Sequence, residues 1–245
     1  MQIKDIYNFI NELSPFSLQE KWDNSGLIVG SMDDTFREVY ISLDLDKEYL
    51  KTVKKGALVI THHPLIFSGL KKINDDTYST KLLKILIKKD IKLISMHTNI
   101  DKTHLNKYVM KEVLGFDFVQ GDDFILTAQI NMSFKSLQKL VKDKLNLQFT
   151  KSVKCHKFIK NISLTTGSGM SLINDIKTDC FLTGDVKYHD AMEAKLQKIS
   201  IIDIGHYESE MHFSPMVNAL LEKYLKKNKI KAIMGLNNNP FKYTI

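Results

Sequence analysis

The sequence predicts an α/β protein of two packed lobes with mostly parallel or mixed sheets. Short aliphatic runs alternate with amphipathic helical patterns from Val39 to the C-terminus. Several of those runs are apolar on both faces, the pattern of strands covered by helices on each side and joined by right-handed crossovers. No Pro/Gly-rich linker breaks the alternation, and the 245 residues contain only four prolines. The spacing places a seam near Gly121. Residues 1–121 then form one lobe, completed by 203–245, and residues 122–202 form the other.

The elements follow in order. MQIKDIYNFINEL carries Ile3, Ile6, Ile10 and Leu13 at helical spacing with polar residues between them, an amphipathic helix and not a signal peptide. WDNSGLIVG (22–30) holds the only tryptophan and an Asp-Asn-Ser-Gly turn, either a pocket wall or a buried anchor. Strand 39–45 leads into helix 46–55, strand 57–63 precedes helix 77–90, and strand 92–97 precedes helix 101–115, which stops at Gly115. The second half reads as strand 125–130, helix 132–145 and strand 158–166, which ends in a Gly-rich turn. Strand 179–185 with the helix KYHDAMEAKLQK comes next, then strand 199–205 with a long helix through SPMVNALLEKYLKK. AIMG supplies a last strand.

Composition narrows the function. Hydrophobic residues at 43% and charged residues at 26% are those of an ordinary globular protein. No apolar segment approaches the ~20 residues that span a bilayer. The net charge of +7 invites a nucleic-acid partner, but Arg37 is the only arginine and the lysines are scattered, so base readout by guanidinium groups is hardly supplied. Cys155 and Cys180 form neither a disulfide framework nor a CxxC metal spacing, which points to a reducing cytoplasm.

In parallel α/β sheets ligands gather at the carboxyl ends of strands. Those ends carry Asp44 and Asp46, the doublet His62-His63, His97 with Asn99 and Asp101, and Gly205-His206 with Glu210 four residues on. Imidazole and carboxylate without thiolate suit Zn, Mn, Fe or Co. His206 and Glu210 at i and i+4 can share a site. A strand stopped at Pro64 lets the His62 and His63 imidazoles serve different ions, as a two-metal site requires. The plain alternatives are a hydrogen-bonded histidine pair and a surface His–Glu pair. His104, His156 and His212 have no such placement and read as surface or structural. TTGSGMS (165–171) offers backbone donors at Gly167 and Gly169 for a phosphate, or is merely a tight turn. TGDVKYHDA (183–191) groups Asp185, Lys187 and His189 at a strand end; Lys187 suits a phosphate and His189 a proton transfer, or Asp185 caps a helix.

Six motifs together, WDNSGLIVG, VITHHPLIF, HTNID, TTGSG, TGDVKYHDA and IGHYESE, resemble in order and over nearly the whole chain the type 2 GTP cyclohydrolase I homologues, the Ngg-interacting-factor-three-like family. The resemblance implies three-layer αβα lobes, a toroidal homohexamer and two divalent metal ions per subunit. It implies that Asp101 joins His63 at one ion, His206 joins His62 at the other and Glu210 bridges both, with His97 beside the site rather than a ligand. The chain is too short for the insertion that some relatives carry between the lobes. The implied reaction opens the guanine imidazole ring of GTP, releasing formate and giving dihydroneopterin triphosphate. Glu210, His189 and Lys187 are the catalytic candidates, and Gly167, Gly169, Asp185 and Lys187 the substrate contacts. A metal-dependent phosphatase or phosphodiesterase, and a non-enzymatic metal-binding ring, are the competing readings.

Overall fold

A computed structural model describes residues 1–119, 124–235 and 239–244. The chain divides into two compact units: unit 1 is Met1–Ile100 with Phe213–Asn238, and unit 2 is Asp101–His212 with Asn239–Ile245. The seam expected near Gly121 lies outside the described residues.

Unit 1 is built on a five-stranded sheet in the order β1-β4-β3-β2-β10. Its strands are β1 (Gly26–Val29), β2 (Glu38–Ser42), β3 (Leu58–Thr61), β4 (Lys92–Ser95) and β10 (Lys231–Met234). All neighbours are parallel except β1, which pairs antiparallel with β4. Strand residues alternate between faces. Tyr40, Val59 and Leu93 pack with Tyr49, Leu50 and Val53 of helix α2 (Lys47–Thr52) and its cap, and with Leu82, Leu83 and Leu86 of α3 (Tyr78–Lys88). Ile41, Ile60 and Ile94 alternate with them and are also fully buried. Helices α1 (Ile3–Leu13) and α9 (Phe213–Lys227) are joined by a Phe9–Tyr224 ring stack at 4.0 Å, and α9 runs beside β2 and β10. The short α4 (Thr98–Ile100) follows β4.

Unit 2 has its own five-stranded sheet, β5-β7-β8-β9-β6. Here β7 (Phe158–Leu164), β8 (Cys180–Thr183) and β9 (Ser200–Asp203) are parallel, flanked by antiparallel β5 (Leu126–Ser133) and β6 (Ser152–Val153). Phe181 and Ile201 pack with Met170, Ile173 and Ala194, the last from α7 (Tyr188–Leu196). Helix α6 (Phe134–Lys144) buries Phe134, Leu137 and Val141.

Three details depart from the sequence reading. The GLIV segment is an edge strand, β1, which four residues of half-buried pattern hardly announce. The expected helix 101–115 is helical but widens to i→i+5 spacing over Asp101–Leu105 and Val109–Val113, with α5 (Asn106–Tyr108) between; such widening occurs often at functional sites. The expected long C-terminal helix is two, α8 (His206–Glu210) and α9. A fresh start at Phe213 puts Pro215 in the first turn of α9, where its missing N–H costs no helical bond.

Candidate metal centre

Of the predicted ligands, His62 and His63 belong to unit 1, and Asp101, His206 and Glu210 to unit 2.

In unit 1 the doublet sits just past β3. Consecutive residues of a strand point to opposite faces, yet here the backbone turns at once. The amides of His62 and His63 both donate to the Leu43 carbonyl, at 3.1 and 3.2 Å. Thr61 Oγ1 donates to the His63 carbonyl at 2.9 Å. Both imidazoles are thereby brought to one place, with ring centroids 4.8 Å apart. His97, beyond the end of β4, closes the group at 5.2 Å from His62 and 5.5 Å from His63. One ring nitrogen from each of the three lies within 4.8 Å of the others, a spacing that could hold a metal ion.

The hydrogen bonds to these rings favour that use. His62 Nδ1 lies 2.8 Å from the Met96 carbonyl. A carbonyl can only accept, so Nδ1 carries the proton and the lone pair of the neutral ring is on Nε2. His63 Nδ1 lies 2.9 Å from Asp44 Oδ1, and His97 Nδ1 2.8 Å from Asp23 Oδ1. Metal-binding histidines characteristically give their other nitrogen to a carbonyl or carboxylate, which fixes tautomer and orientation.

The Asp23 carboxylate is shielded from solvent and also receives Asn24 N at 2.7 Å, Ser25 Oγ at 3.0 Å, Thr98 N at 3.1 Å and Thr98 Oγ1. Burial opposes its ionisation, but the hydrogen bond and charge of His97 with the donors from Thr98 and Asn24 outweigh it and hold the carboxyl well below the usual range. The sequence marks the Asp-Asn-Ser-Gly turn without revealing this role. Asp46, by contrast, is an ordinary N-cap that accepts Tyr49 N at 2.6 Å.

In unit 2, Gly205 is the N-cap of α8, and its φ of 71° turns the chain sharply after β9. His206 Nε2 lies 3.0 Å from Glu210 Oε2, so the i,i+4 pair does converge. Glu210 is buried at 3% exposure. His206 Nδ1 is held by Asp185 Oδ2 at 2.7 Å, the carboxylate–imidazole pairing seen again. That hydrogen bond from His206 is the main cause of a lowered Asp185 pKa, against the opposing effect of burial. Asp101 is buried at the head of its helical stretch.

The Gly-rich turn is tied to its surroundings within unit 2. Gly167 N donates to Ser209 Oγ at 3.0 Å and Gly169 N to Thr183 Oγ1 at 2.8 Å, so neither amide is directed to a phosphate. Gly167, at φ +63°, instead leaves room for Glu210, because a Cβ there would fall on Glu210 Oε1. Asp185 does not cap α7, whose N-cap is Lys187; it is exposed and orients His206. Lys187 and His189 are exposed at the start of α7, with His189 edge-on to Tyr188 at 5.3 Å.

Among the described residues no helix is long and apolar enough to cross a membrane. The donor set of imidazole and carboxylate, with carboxylate or carbonyl behind each imidazole, fits a divalent transition ion.

Comparison with known proteins agrees with the motif pattern. A Campylobacter jejuni protein named GTP cyclohydrolase 1 type 2 homolog is 48% identical over 244 residues, covering 99% of this chain and all of that one. A Helicobacter pylori protein named GTP cyclohydrolase 1 type 2 is 43% identical over 224 residues, covering 91% of this chain and 92% of its own. The crystal structure of a Staphylococcus aureus hypothetical protein matches with TM-score 0.88 at 26% identity, covering 100% of this chain and 99% of that one. The family model Duf34/NIF3 (NGG1p interacting factor 3) matches residues 1–240, and the chain belongs to that family.

Proposed function

We propose that this protein is a divalent-metal-dependent hydrolase of a nucleotide, acting on GTP with release of formate from the guanine ring. The observation that carries the metal requirement is the convergence of His62, His63 and His97 with every Nδ1 already engaged by a carboxylate or carbonyl. The names of the Campylobacter and Helicobacter relatives support the nucleotide and the reaction.

His62, His63, Asp101, His206 and Glu210 would hold two ions, of Zn, Mn, Fe or Co. When bound, such ions supply Lewis acidity and activate water near neutral pH. The chain's own residues prepare the site. Asp44, Asp185 and the Met96 carbonyl orient the rings of His63, His206 and His62. Glu210, as a buried carboxylate, contributes the negative charge that compensates the ions. In unit 2 the chain passes from Asp185, in contact with His206, to Lys187 and His189 within four residues. Lys187 is assigned to the triphosphate and His189 to proton transfer. We also assign the assembly as a homohexameric ring in the cytoplasm.

The test is a substrate panel with metal-loaded protein, reading formate and a fluorescent pterin against inorganic phosphate. Formate from GTP, abolished in Glu210→Ala with the assembly intact, supports the reaction. Phosphate without formate would transfer the site to a phosphatase. Activity surviving thorough chelation, or no turnover of any nucleotide, would remove the metal-hydrolase reading altogether.

A further inference from the structure

Trp22 and Phe67 are two large aromatic side chains held out into solvent, 57% and 51% exposed. They stand side by side with centroids 5.6 Å apart and planes inclined by 35°. Both meet the same histidine edge-on: His97 lies 6.1 Å from Trp22 and 5.9 Å from Phe67, each at 75°. The pair is therefore a wall with the histidine cluster of unit 1 at its foot.

This exposure is not slack in the chain. Asn24 Nδ2 donates to the Ile66 carbonyl at 2.6 Å, tying the turn that bears Trp22 to the segment that bears Phe67. The amide of His97 donates to Ser25 Oγ at 3.1 Å, Thr98 Oγ1 accepts the Glu20 amide at 3.0 Å, and Asp23 accepts from Asn24 N, Ser25 Oγ and Thr98 N. Two loops distant in sequence are thus fixed so that apolar rings face water beside polar, metal-fitting side chains. Exposed apolar rings clustered in this way mark a binding surface, and fixed rings lose little entropy on binding.

We propose that Trp22 and Phe67 form the stacking platform for the purine base of the substrate, which seats that ring against the histidine cluster. The inference rests on the nucleotide reading above and specifies how the base is held. A flat heteroaromatic ring is the occupant that a bare aromatic wall serves, since every base offers a π-face to stack. A protein partner fits less well. It would cover His63 and His97, the members of the cluster that solvent reaches, with side chains 26% and 14% exposed.

Trp22 is the single tryptophan of the chain, so fluorescence excited selectively at tryptophan reports on this wall. Metal-loaded protein mixed rapidly with GTP is expected to show saturable quenching before product forms, while inorganic tripolyphosphate leaves the emission unchanged. Phe67→Ala should weaken the GTP-dependent quench about tenfold, the scale of one lost stacking contact. Trp22→Ala should raise KM for GTP to a similar extent with metal content unchanged, and Trp22→Phe should restore it. Quenching by GTP that depends on Phe67, without formate release, keeps the platform and discards the ring-opening reaction. Formate release with KM unchanged in both alanine variants discards the platform and keeps the reaction. The platform is equally overturned if tripolyphosphate quenches as GTP does, or if either alanine variant breaks the assembly into smaller species.

Discussion

Gly167 shows how one residue constrains the proposed metal ligands. Its φ of +63° belongs to the left-handed region, and its missing side chain is the space that Glu210 Oε1 fills, with His206 Nε2 3.6 Å from where a Cβ would be. In Gly167→Ala the backbone strain alone costs about 1–2 kcal/mol. The displaced carboxylate is expected to lower metal affinity about tenfold or more, the scale at which disturbed ligand orientation acts. Metal content of the purified variant, measured by elemental mass spectrometry beside its unfolding midpoint, checks this. Full metal occupancy with unchanged stability would show that the turn has no part in placing Glu210. The sequence marks this glycine as unusual, but a Gly-rich turn reads equally as an anion cradle. The structure adds that Ser209, 42 residues away, accepts the Gly167 amide.

Among the elements, the turn before β1 and the start of α4 are welded together by Asp23. Its carboxylate joins His97 and Thr98 across 74 and 75 residues of sequence. A depressed carboxylate pKa means stability that is present above the unfolded value and lost as pH falls toward the folded one. Asp23→Asn should therefore destabilise the protein by roughly 2–3 kcal/mol at neutral pH, the range for a buried hydrogen bond to a charged group. The gap to wild type should close as pH falls below about 4, where unperturbed aspartate protonates. Denaturant unfolding across a pH series measures this; a gap constant with pH would mean that Asp23 acts only by shape. The parallel strands themselves were legible, because a strand buried on both faces is a continuous apolar run. The edge strand β1 and the two-residue β6 were not, because so little of either is buried.

For the molecule as a whole, the proposed ligands are divided between two units, His62 and His63 in one and Asp101, His206 and Glu210 in the other. A bound ion stabilises the folded state by mass action, about 3 kcal/mol for a site held at a hundredfold excess over Kd. Chelation should accordingly lower the thermal midpoint, and re-addition of one of the candidate ions should restore it. Alanine at either His63 or Glu210 should blunt that response. Native mass spectrometry of the same samples reads the assembly, expected as six subunits of 28.2 kDa. A midpoint indifferent to chelation would argue against the whole ligand set.

The sequence by itself determined the α/β class, the order of most elements and the placement of histidines and acids at strand ends. These follow from local periodicity and from where an apolar run stops. Tertiary structure alone decided which group stands behind each ring. His63 meets Asp44 across 19 residues, His206 meets Asp185 across 21 and His62 meets the Met96 carbonyl across 34. Strand order and crossovers set these pairings, and neither is written in the periodicity of any one segment. The direction of a side chain past a strand end likewise depends on backbone bonds such as those from His62 and His63 to Leu43. That is why the doublet's residues could be named from the sequence, while its convergence with His97 beneath Trp22 and Phe67 could not.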